Sequence, residues 1–407
     1  MWLYRCLISV FAVFAVLRAL RSDGVKAAAA RLALASPSQD AAHVWVHAAS
    51  NGELASVRPV LEALAQARPD LHWLVTTNTA TGCDLAKGWG LPRSDIRLAP
   101  VDLSFVTGRM LRRWRVTAHI AVESEIWPHR VLSCPGPTLL LGARMSAGTA
   151  RSWRRMGGLP GRVLARVALA VAQDADSAAR LNQLGLPTTA QGLVLDLKAL
   201  FVPPDLQPDA TLRSCFPRAK TWLAASTHEG DDAGILTAHA IARAADPDLR
   251  LILAPRHPRR ASDIATLAKT QGLSVALRSK GDPPNAADVY IADTLGEMPL
   301  WYVLAGRVFI AGTWTDRGGH TPYEPAAYGA ALLHGGDTAN FRAAFARLSA
   351  AQAALQVDSA DALAQALGAL AAFEAQTQAG AAAQAALRQE IDLEGLVTRC
   401  AAILPRQ

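Results

Sequence analysis

Apolar, strand-like runs alternate with helical stretches along most of this chain, and this alternation constrains its fold more than any other feature. Strands that alternate with helices fold into parallel, doubly wound sheets. The alternation stops once, at the proline-rich segment FVPPDLQPD of residues 201–209, which is typical of a linker. We therefore predict an α/β protein with two successive sheet domains. The predicted strands are Val44–Val46, Trp73–Thr76, Ala118–Val122, Thr138–Leu141 and Ala168–Ala172 before the linker, and Thr221–Ala225, Arg250–Ala254, Ser274–Leu277, Val289–Ala292, Val308–Ala311 and Ala331–Leu333 after it.

The same pattern sets the domain boundaries. We predict an N-terminal segment over residues 1–22, a first domain over residues 40–200, a linker over residues 201–215 and a second domain over residues 216–407. The second domain includes the alanine-rich residues 343–388, whose composition favours helices.

A membrane anchor is predicted at the N-terminus. The run Cys6–Leu17 is apolar and lies between Arg5 and Arg18. A spanning helix needs about 20 apolar residues, which this segment reaches only if both arginines extend toward the lipid headgroups, so it either spans the membrane or dips into it. The basic residues that follow predict a cytoplasmic body by the positive-inside rule. A signal peptide and a buried helix are the alternatives, although no small-x-small cleavage site follows.

Charge and cysteine content narrow the class of partner. The net charge is +7, from 41 basic and 34 acidic residues, which suits an anionic substrate or an anionic membrane surface. The basic residues form only short pairs without interleaved aromatic residues, so nucleic acid is not expected as a partner. The five cysteines lie far apart and none forms a C-x-x-C pair, so we expect neither a zinc site nor a disulfide framework. We expect reduced thiols and therefore a reducing compartment.

Acidic residues stand at two predicted strand ends of the first domain. The segment HAASNGELASVRP, residues 47–59, is typical of a strand, a tight turn and a helix, yet Glu53 occupies the position where such units often hold a phosphate. The segment VESEIWPHR, residues 122–130, follows another strand and carries Glu123 and Glu125. In an extended segment these two glutamates would face the same side.

The second domain has three loops at the carboxyl ends of predicted strands, where open α/β sheets bind ligands. Pro255 and Arg256 lie in the first loop, residues 292–302 form the second, and residues 311–329 form the third, which includes Glu324. Two helix N-termini and Arg256 could together hold a nucleotide phosphate without a metal, and Glu324 could bind a pair of ribose hydroxyls. No G-x-G-x-x-G follows a predicted strand, which disfavours a nicotinamide dehydrogenase.

The order of these motifs closely resembles the 3-deoxy-D-manno-octulosonic acid (Kdo) transferase family of lipopolysaccharide biosynthesis. The resemblance implies a GT-B glycosyltransferase with two Rossmann-like domains facing a central cleft, the first binding the acceptor and the second the donor. It implies CMP-Kdo as donor, the lipid A precursor lipid IVA as acceptor, no metal or other cofactor, and a place at the inner membrane with the catalytic domains facing the cytoplasm. The motifs are HAASNGE, VTTNTATG, VESEIWP, ARMSAGTARSW, ASTHEG, PRHPRR, DTLGEM and GGHTPYEPAAYG.

The resemblance also implies roles for individual residues. Glu53 falls on the position of the general base, and Glu123 falls on that of a second essential carboxylate. The positions implied to bind CMP are Pro255, Arg256, Leu295, Gly296, Glu297, Thr321, Pro322, Tyr323 and Glu324.

The chain departs from the family pattern at several of these motifs. Asn51 stands in place of a valine beside Glu53, and Thr321 and Tyr323 replace an asparagine and a leucine in the nucleotide loop. The family has a lysine, thought to stabilise the transition state, at the position that aligns with Leu195, and Lys198 lies three residues further on. Two alternatives therefore stay open, namely a GT-B transferase with a related donor and an inactive nucleotide-binding protein at the membrane.

Overall fold

A computed structural model describes residues 2–285, 287–389 and 391–406 of the chain. The chain divides into two compact units. The second unit is Phe201–Gln389, and the first unit consists of the described residues on either side of it. The boundary falls at the start of the proline-rich segment, where the sequence analysis placed a linker.

The first unit is built on a sheet of seven parallel strands in the order β3-β2-β1-β4-β5-β6-β7. The order of a doubly wound sheet reverses between β1 and β4, which is the place where such sheets bind ligands. The strands are β1 His43–His47, β2 His72–Thr77, β3 Ser94–Leu98, β4 Val116–Val122, β5 Thr138–Ala143, β6 Val167–Ala172 and β7 Gln191–Val194.

Helices cover both faces of this sheet. Successive side chains of each strand point to opposite faces, and the apolar side chains on both faces need to be buried. Val44 and Val46 of β1 pack on one face with Leu54 and Leu61, and Trp45 packs on the other face. The helices before the boundary are α1 Trp2–Arg31, α2 Asn51–Ala67, α3 Ala80–Lys87, α4 Ser104–Arg113, α5 Pro128–Ser133, α6 Ala147–Arg154, α7 Leu159–Leu164 and α8 Ala175–Gln183.

Helix α1 has one side packed on the first unit and one apolar side exposed. Tyr4 and Ile8 are buried in the core of this unit, and Ala12 is buried with Trp45. Phe11 and Phe14 on the other side are 53% and 73% exposed. Among the described residues, no helix combines the length and the apolar composition that crossing a membrane requires.

The second unit repeats the architecture, with seven parallel strands in the order β10-β11-β9-β8-β12-β13-β14. Its order reverses between β8 and β12. The strands are β8 Thr221–Thr227, β9 Arg250–Pro255, β10 Val275–Leu277, β11 Val289–Ile291, β12 Arg307–Ile310, β13 Ala331–His334 and β14 Ala354–Gln356. The helices are α9 Ala210–Cys215, α10 Asp232–Ala245, α11 Ala261–Thr270, α12 Met298–Leu304, α13 Tyr323–Ala327, α14 Arg342–Ala350, α15 Ala360–Ala369 and α16 Phe373–Leu387.

The next helix, α17 Leu393–Ile403, belongs to the first unit. Its residues Leu396, Val397 and Cys400 are buried in the same core as Leu61 of α2. The assignment of all of residues 216–407 to the second domain therefore differs from the structure, because the apolar face of α17 completes the core around β1 and α2. Residues 210–215 also form a helix, α9, within the predicted linker.

The predicted α/β class with two Rossmann-like domains is confirmed. Every predicted strand is present in one of the two sheets. The strands without a prediction are β3, β7 and β14, and each lies at an edge of its sheet.

Candidate active site

Glu53 lies at the reversal point of the first sheet, in the first turn of α2. Ser50 is the N-cap residue, and its Oγ accepts a hydrogen bond of 3.3 Å from the Glu53 backbone N–H. The Glu53 carboxylate reaches back and accepts a hydrogen bond of 2.8 Å from the Ala49 N–H. This is a variant of the capping box that fixes the start of a helix, since the carboxylate accepts from the residue before the N-cap and not from the N-cap residue itself. It holds the Glu53 carboxylate close to the end of β1.

Burial decides the acidity of Glu53. Burial raises the pKa of Glu53 from its ordinary value of 4.5 to about 8, and the negative charge of Glu123 adds to the rise. The Ala49 N–H and the Lys198 ammonium lower it again, but by less. A carboxylate with a pKa near 8 is a stronger base than an ordinary glutamate and is suited to general-base chemistry near neutral pH. The helix N-terminus, which favours the ionised form, does not prevail here.

Glu123 follows directly after β4, on the other side of the reversal point. Its backbone is left-handed, with a φ of 51°, which is uncommon for a residue with a side chain and typical of functional sites. The main chain is held on both sides, since Glu123 N–H donates to Leu141 at 3.0 Å and Arg144 N–H donates to the Glu123 carbonyl at 3.1 Å. The carboxylate forms an ion pair with Lys198.

Lys198 comes from a short 3-10 turn, Leu197–Leu200, after β7. The Lys198 and Glu123 side chains are 15% and 13% exposed, so their ion pair is largely withdrawn from solvent. Leu195, which aligns with the family lysine, is buried in the core of the first unit. The structure therefore brings the ammonium group of Lys198, and not a side chain at position 195, to the three carboxylates that we call the acidic cluster, Glu53, Glu123 and Glu125.

Glu125 has partners different from those of Glu123. It accepts hydrogen bonds from the His47 Nε2 at 2.9 Å and from the Trp127 indole at 2.6 Å. Burial pushes the pKa of Glu125 upward, but these two hydrogen bonds, together with the electrostatic attraction of His47 and Arg130, prevail and lower it to about 2. Burial lowers the pKa of His47 to about 4, so the ring is neutral at pH 7 and donates its Nε2 proton. The extended segment on which the sequence analysis based a common side for Glu123 and Glu125 is absent, because Glu123 and Ser124 form a turn. The negative charges of both glutamates nevertheless act on the pKa of Glu53.

The reversal point of the second sheet carries a pair of histidines. His228 follows β8, His320 lies in the loop after β12, and their Nε2 atoms are 2.9 Å apart with the rings stacked. One nitrogen must carry a proton and the other a lone pair, because both atoms cannot donate to each other. The carboxylate of Asp231 fixes the two loops by accepting hydrogen bonds of 2.9 Å from the backbone of His228 and of Gly312.

The surroundings of this pair are cationic. Burial lowers the pKa of His228, and Arg317, His257 and Arg256 lower it further. Burial lowers the pKa of His320 to about 4, with contributions from His228 and Arg256. Basic groups that lie this close lower each other's pKa, because their positive charges repel. A bound anion would offset that repulsion and stabilise the protonated form of each group, so the site favours an anion.

The predicted CMP-binding residues lie at the strand ends of the second unit. Pro255 is the last residue of β9, Arg256 follows it, and Gly296 is left-handed with a φ of 86° before α12. Pro322 is the N-cap residue of α13. The remaining positions are the exposed Leu295, Thr321 in the loop before α13, and Tyr323 and Glu324 in the first turn of α13.

The side chains of Glu297 and Tyr323 bind arginines within the unit. The Glu297 carboxylate accepts two hydrogen bonds from the Arg278 guanidinium, at 2.8 and 3.1 Å. Tyr323 is buried, and its hydroxyl accepts a hydrogen bond from Arg347 at 2.5 Å. Helices α12 and α13 have only seven and five residues, so their N-termini offer less positive potential than the sequence analysis expected of them.

Sequence analysis assigned no role to His228, His320 or Arg278. His228 lies in ASTHEG, directly after β8, and a histidine directly after such a strand is the signal that could have found it. His320 lies in GGHTPYEPAAYG, ten residues after β12, where no such signal exists. Arg278 follows a short edge strand, β10, and its sequence context gives no comparable signal.

The chain is similar to known proteins over most of its length. A family model described as 3-deoxy-D-manno-octulosonic-acid transferase (kdotransferase) matches residues 26–200. A 3-deoxy-D-manno-octulosonic acid transferase of Haemophilus influenzae is 32% identical over 335 residues, which are 80% of this chain and 78% of the relative. One of Bordetella pertussis is 33% identical over 352 residues, with the same two shares.

Solved structures share the fold at low sequence identity. A UDP-GlcNAc 2-epimerase from Neisseria meningitidis is 12% identical to this chain, with a TM-score of 0.56. The match covers 84% of this chain and 94% of the epimerase chain. The architecture of two Rossmann-like domains is that of GT-B proteins, as the sequence analysis predicted.

Proposed function

The chain belongs to the 3-deoxy-D-manno-octulosonic acid (Kdo) transferase family, and from this premise we propose that it transfers Kdo from CMP-Kdo to the lipid A precursor lipid IVA. The observation that carries the proposal is the acidic cluster of the first unit. A half-buried glutamate whose pKa is about 8, beside a second carboxylate paired with a lysine, is an arrangement suited to removing a proton from a hydroxyl group.

In the proposed reaction, the Glu53 carboxylate takes the proton from an acceptor hydroxyl as its oxygen bonds to the anomeric carbon of Kdo. The bond between that carbon and the phosphate oxygen breaks, and CMP leaves with the electron pair. A direct displacement of this kind inverts the anomeric carbon. About one Glu53 in ten is ionised at pH 7 if its pKa is about 8, so the rate should rise with pH up to that value.

Glu123 and Lys198 have supporting roles in this proposal. The Glu123 carboxylate raises the pKa of Glu53 and so makes it a stronger base, whereas the Lys198 ammonium limits the rise. The left-handed backbone of Glu123, held by hydrogen bonds on both sides, fixes that carboxylate relative to the end of β4. We assign to Lys198 the positive charge that the family has at the position of Leu195.

We propose that the second unit binds CMP-Kdo. Arg256 would pair with the phosphate, the histidine pair His228 and His320 would add donors to it, and Glu324 would accept hydrogen bonds from the ribose hydroxyls. The cationic surroundings of the histidines support an anionic ligand. Because Glu297 is bound to Arg278, its role would be to hold the loop around Gly296 and not to contact the nucleotide through its carboxylate.

We also propose that α1 attaches the protein to the cytoplasmic face of the inner membrane. Its buried side fixes it to the first unit, while Phe11, Phe14 and Leu17 form an exposed apolar side. Arg18 and Arg21 follow that side and would contact anionic lipid headgroups. This arrangement supports a helix that lies in the interface and presents an enzyme to a lipid acceptor.

The test is incubation of the purified protein with CMP-Kdo and lipid IVA, followed by mass spectrometry of the lipid. The expected product is heavier than lipid IVA by at least one Kdo residue. A panel of CMP- and UDP-sugars in the same assay separates Kdo transfer from transfer of a related sugar. Absence of product with every donor, from a protein that binds CMP, would support an inactive nucleotide-binding protein instead.

A further inference from the structure

A cavity in the first unit lies beside the acidic cluster and has no part in the proton transfer. Its volume is about 190 Å³, and most of its lining is apolar. We call it the tryptophan pocket, and its apolar and aromatic lining consists of Tyr4, Ile126, Trp127, Met145, Trp153 and Met156. The two methionines have flexible, polarisable side chains that adapt to ligands of irregular shape.

The tryptophan pocket is joined to the acidic cluster by shared residues. The Trp127 ring lines the pocket, while its indole N–H donates to the Glu125 carboxylate at 2.6 Å. Arg144 also lines the pocket, and its backbone N–H donates to the Glu123 carbonyl at 3.1 Å. A ligand in the pocket would therefore lie next to the two acids that follow β4.

The same pocket is joined to the exposed apolar side of α1. Tyr4 of α1 lines the pocket, and the Tyr4 hydroxyl donates to Asp102 at 2.5 Å, which fixes the ring in place. Phe11 of the same helix, which is half exposed, stacks on Trp127 with the ring centroids 6.1 Å apart. Apolar surface thus continues from the exposed face of α1 to the pocket, a path that a hydrocarbon chain can follow from a membrane.

One arginine adds positive charge to the wall of the tryptophan pocket. Arg144 lines the pocket, whereas Arg151, Arg154 and Arg155, which are exposed on and directly after α6, do not line it. An apolar cavity with an arginine in its wall is complementary to an apolar chain attached to an anionic headgroup. It is a poor match for a neutral apolar molecule or for a free sugar.

We infer that the tryptophan pocket holds one acyl chain of the acceptor, an acylated anionic sugar, while the reacting hydroxyl of that acceptor lies at Glu53 and Glu123. The inference rests on the proposed function and adds to it a binding site for the lipid part of the substrate. The volume is smaller than the roughly 300–1,000 Å³ of pockets that enclose drug-sized ligands, so the pocket holds part of one chain and not the whole lipid.

The test compares lipid IVA with the same phosphorylated disaccharide after removal of its acyl chains. Thr149 is exposed in the first turn of α6 and lines the pocket, so Thr149→Trp should fill it from the rim. Ser152 is exposed on the same helix but does not line the pocket, so Ser152→Trp is the matched control. Dissociation constants of both ligands are measured below the aggregation concentration of the lipid, alongside the rates of Kdo transfer.

We expect wild-type protein to bind the acylated ligand more tightly than the deacylated one. Thr149→Trp should reduce that preference about tenfold, the factor expected when about two methylene groups are left in water, and Ser152→Trp should not alter it. Trp153→Ala, which removes one wall, should reduce the preference as well. Equal affinity of the wild-type protein for both ligands, or an equal loss for both ligands in Thr149→Trp, would overturn the inference. Absence of transfer to either acceptor, with the preference intact, would instead overturn the proposed function alone.

Discussion

Replacing Glu53 by glutamine separates a catalytic role of this carboxylate from a structural one. Glutamine keeps an oxygen that can accept the hydrogen bond from the Ala49 N–H, so the capping box survives in Glu53→Gln. It cannot take up a proton from the acceptor. Loss of a general base costs about 10²–10⁴ in rate, so we expect Kdo transfer to fall at least about 100-fold while the affinity for CMP stays within a few-fold.

The same substitution should stabilise the protein at neutral and alkaline pH. Between pH 4.5 and about 8 the folded protein keeps a proton on Glu53 that the unfolded chain has released, so this group lowers the free energy of unfolding as the pH rises through that window. At pH 7 the cost is about 3 kcal/mol. Glutamine has no such cost, so the melting temperature of Glu53→Gln should match the wild type near pH 4 and exceed it near pH 8.

Glu62→Gln is the matched control for this experiment. Glu62 lies on the same helix, on its exposed side, and pairs with Arg58 at 2.7 Å. Such surface pairs contribute about 0–1 kcal/mol, so its loss should change neither the rate nor the pH dependence of melting. The reasoning would be refuted by a Glu53→Gln protein with near-normal turnover and a melting temperature below the wild type at every pH, since the carboxylate would then serve the helix terminus only.

Three further predictions concern the charged groups around Glu53, the proposed CMP site at Arg256 and the helix α1. Lys198→Met removes a charge that lowers the pKa of Glu53, so the midpoint of the pH–rate profile should move to higher pH, and Glu123→Gln should move it to lower pH; unchanged midpoints in both variants would contradict these electrostatic roles. Arg256→Ala should weaken CMP binding about tenfold or more by calorimetry, because it removes a charge-assisted contact, and an unchanged affinity would reject the assignment. On α1, Ile8→Ala should lower the free energy of unfolding by about 2 kcal/mol or more, because the Ile8 side chain is buried. Phe14→Ala should leave the free energy of unfolding unchanged and weaken sedimentation with anionic vesicles, because the Phe14 side chain is exposed. Equal effects of the two variants on both measurements would show that the two sides of α1 do not differ.

The interior of both sheets could be predicted because helices cover both faces of it. A parallel strand covered on both faces is apolar along its whole length, and β1, β4 and β9 therefore read as apolar runs. The edge strand β3 contains Ser94, Asp95 and Arg97, and β7 is largely exposed, so neither has such a run. The position of α17 in the first unit was also beyond prediction, because an amphipathic helix does not specify in its sequence which sheet it covers.

The candidate site was predictable where it depends on one strand and its next turn. Glu123 and Arg256 each follow directly after a buried strand, and Glu53 lies in the first turn of the helix that follows another. The topology of a doubly wound sheet brings such positions to the carboxyl edge of their own sheet. Lys198 was weighed only because of the family pattern, since a 3-10 turn has no periodic signal. The contact between His228 and His320 joins loops 92 residues apart, and only the folded chain places them together.

The packing of α17 against α2 has a consequence for the order in which the chain folds during synthesis. Arg68, at the end of α2, pairs with Asp70 and donates to the carbonyls of Ala401, Leu404 and Pro405, so the α2 core and the α17 segment close on one another. The first unit is therefore incomplete until the ribosome has made the residues of α17, although its seven strands are made before the second unit. The second unit has all of its strands before that point. On the ribosome the second unit can mature first, while the surface of α2 that awaits α17 stays exposed and open to chaperones.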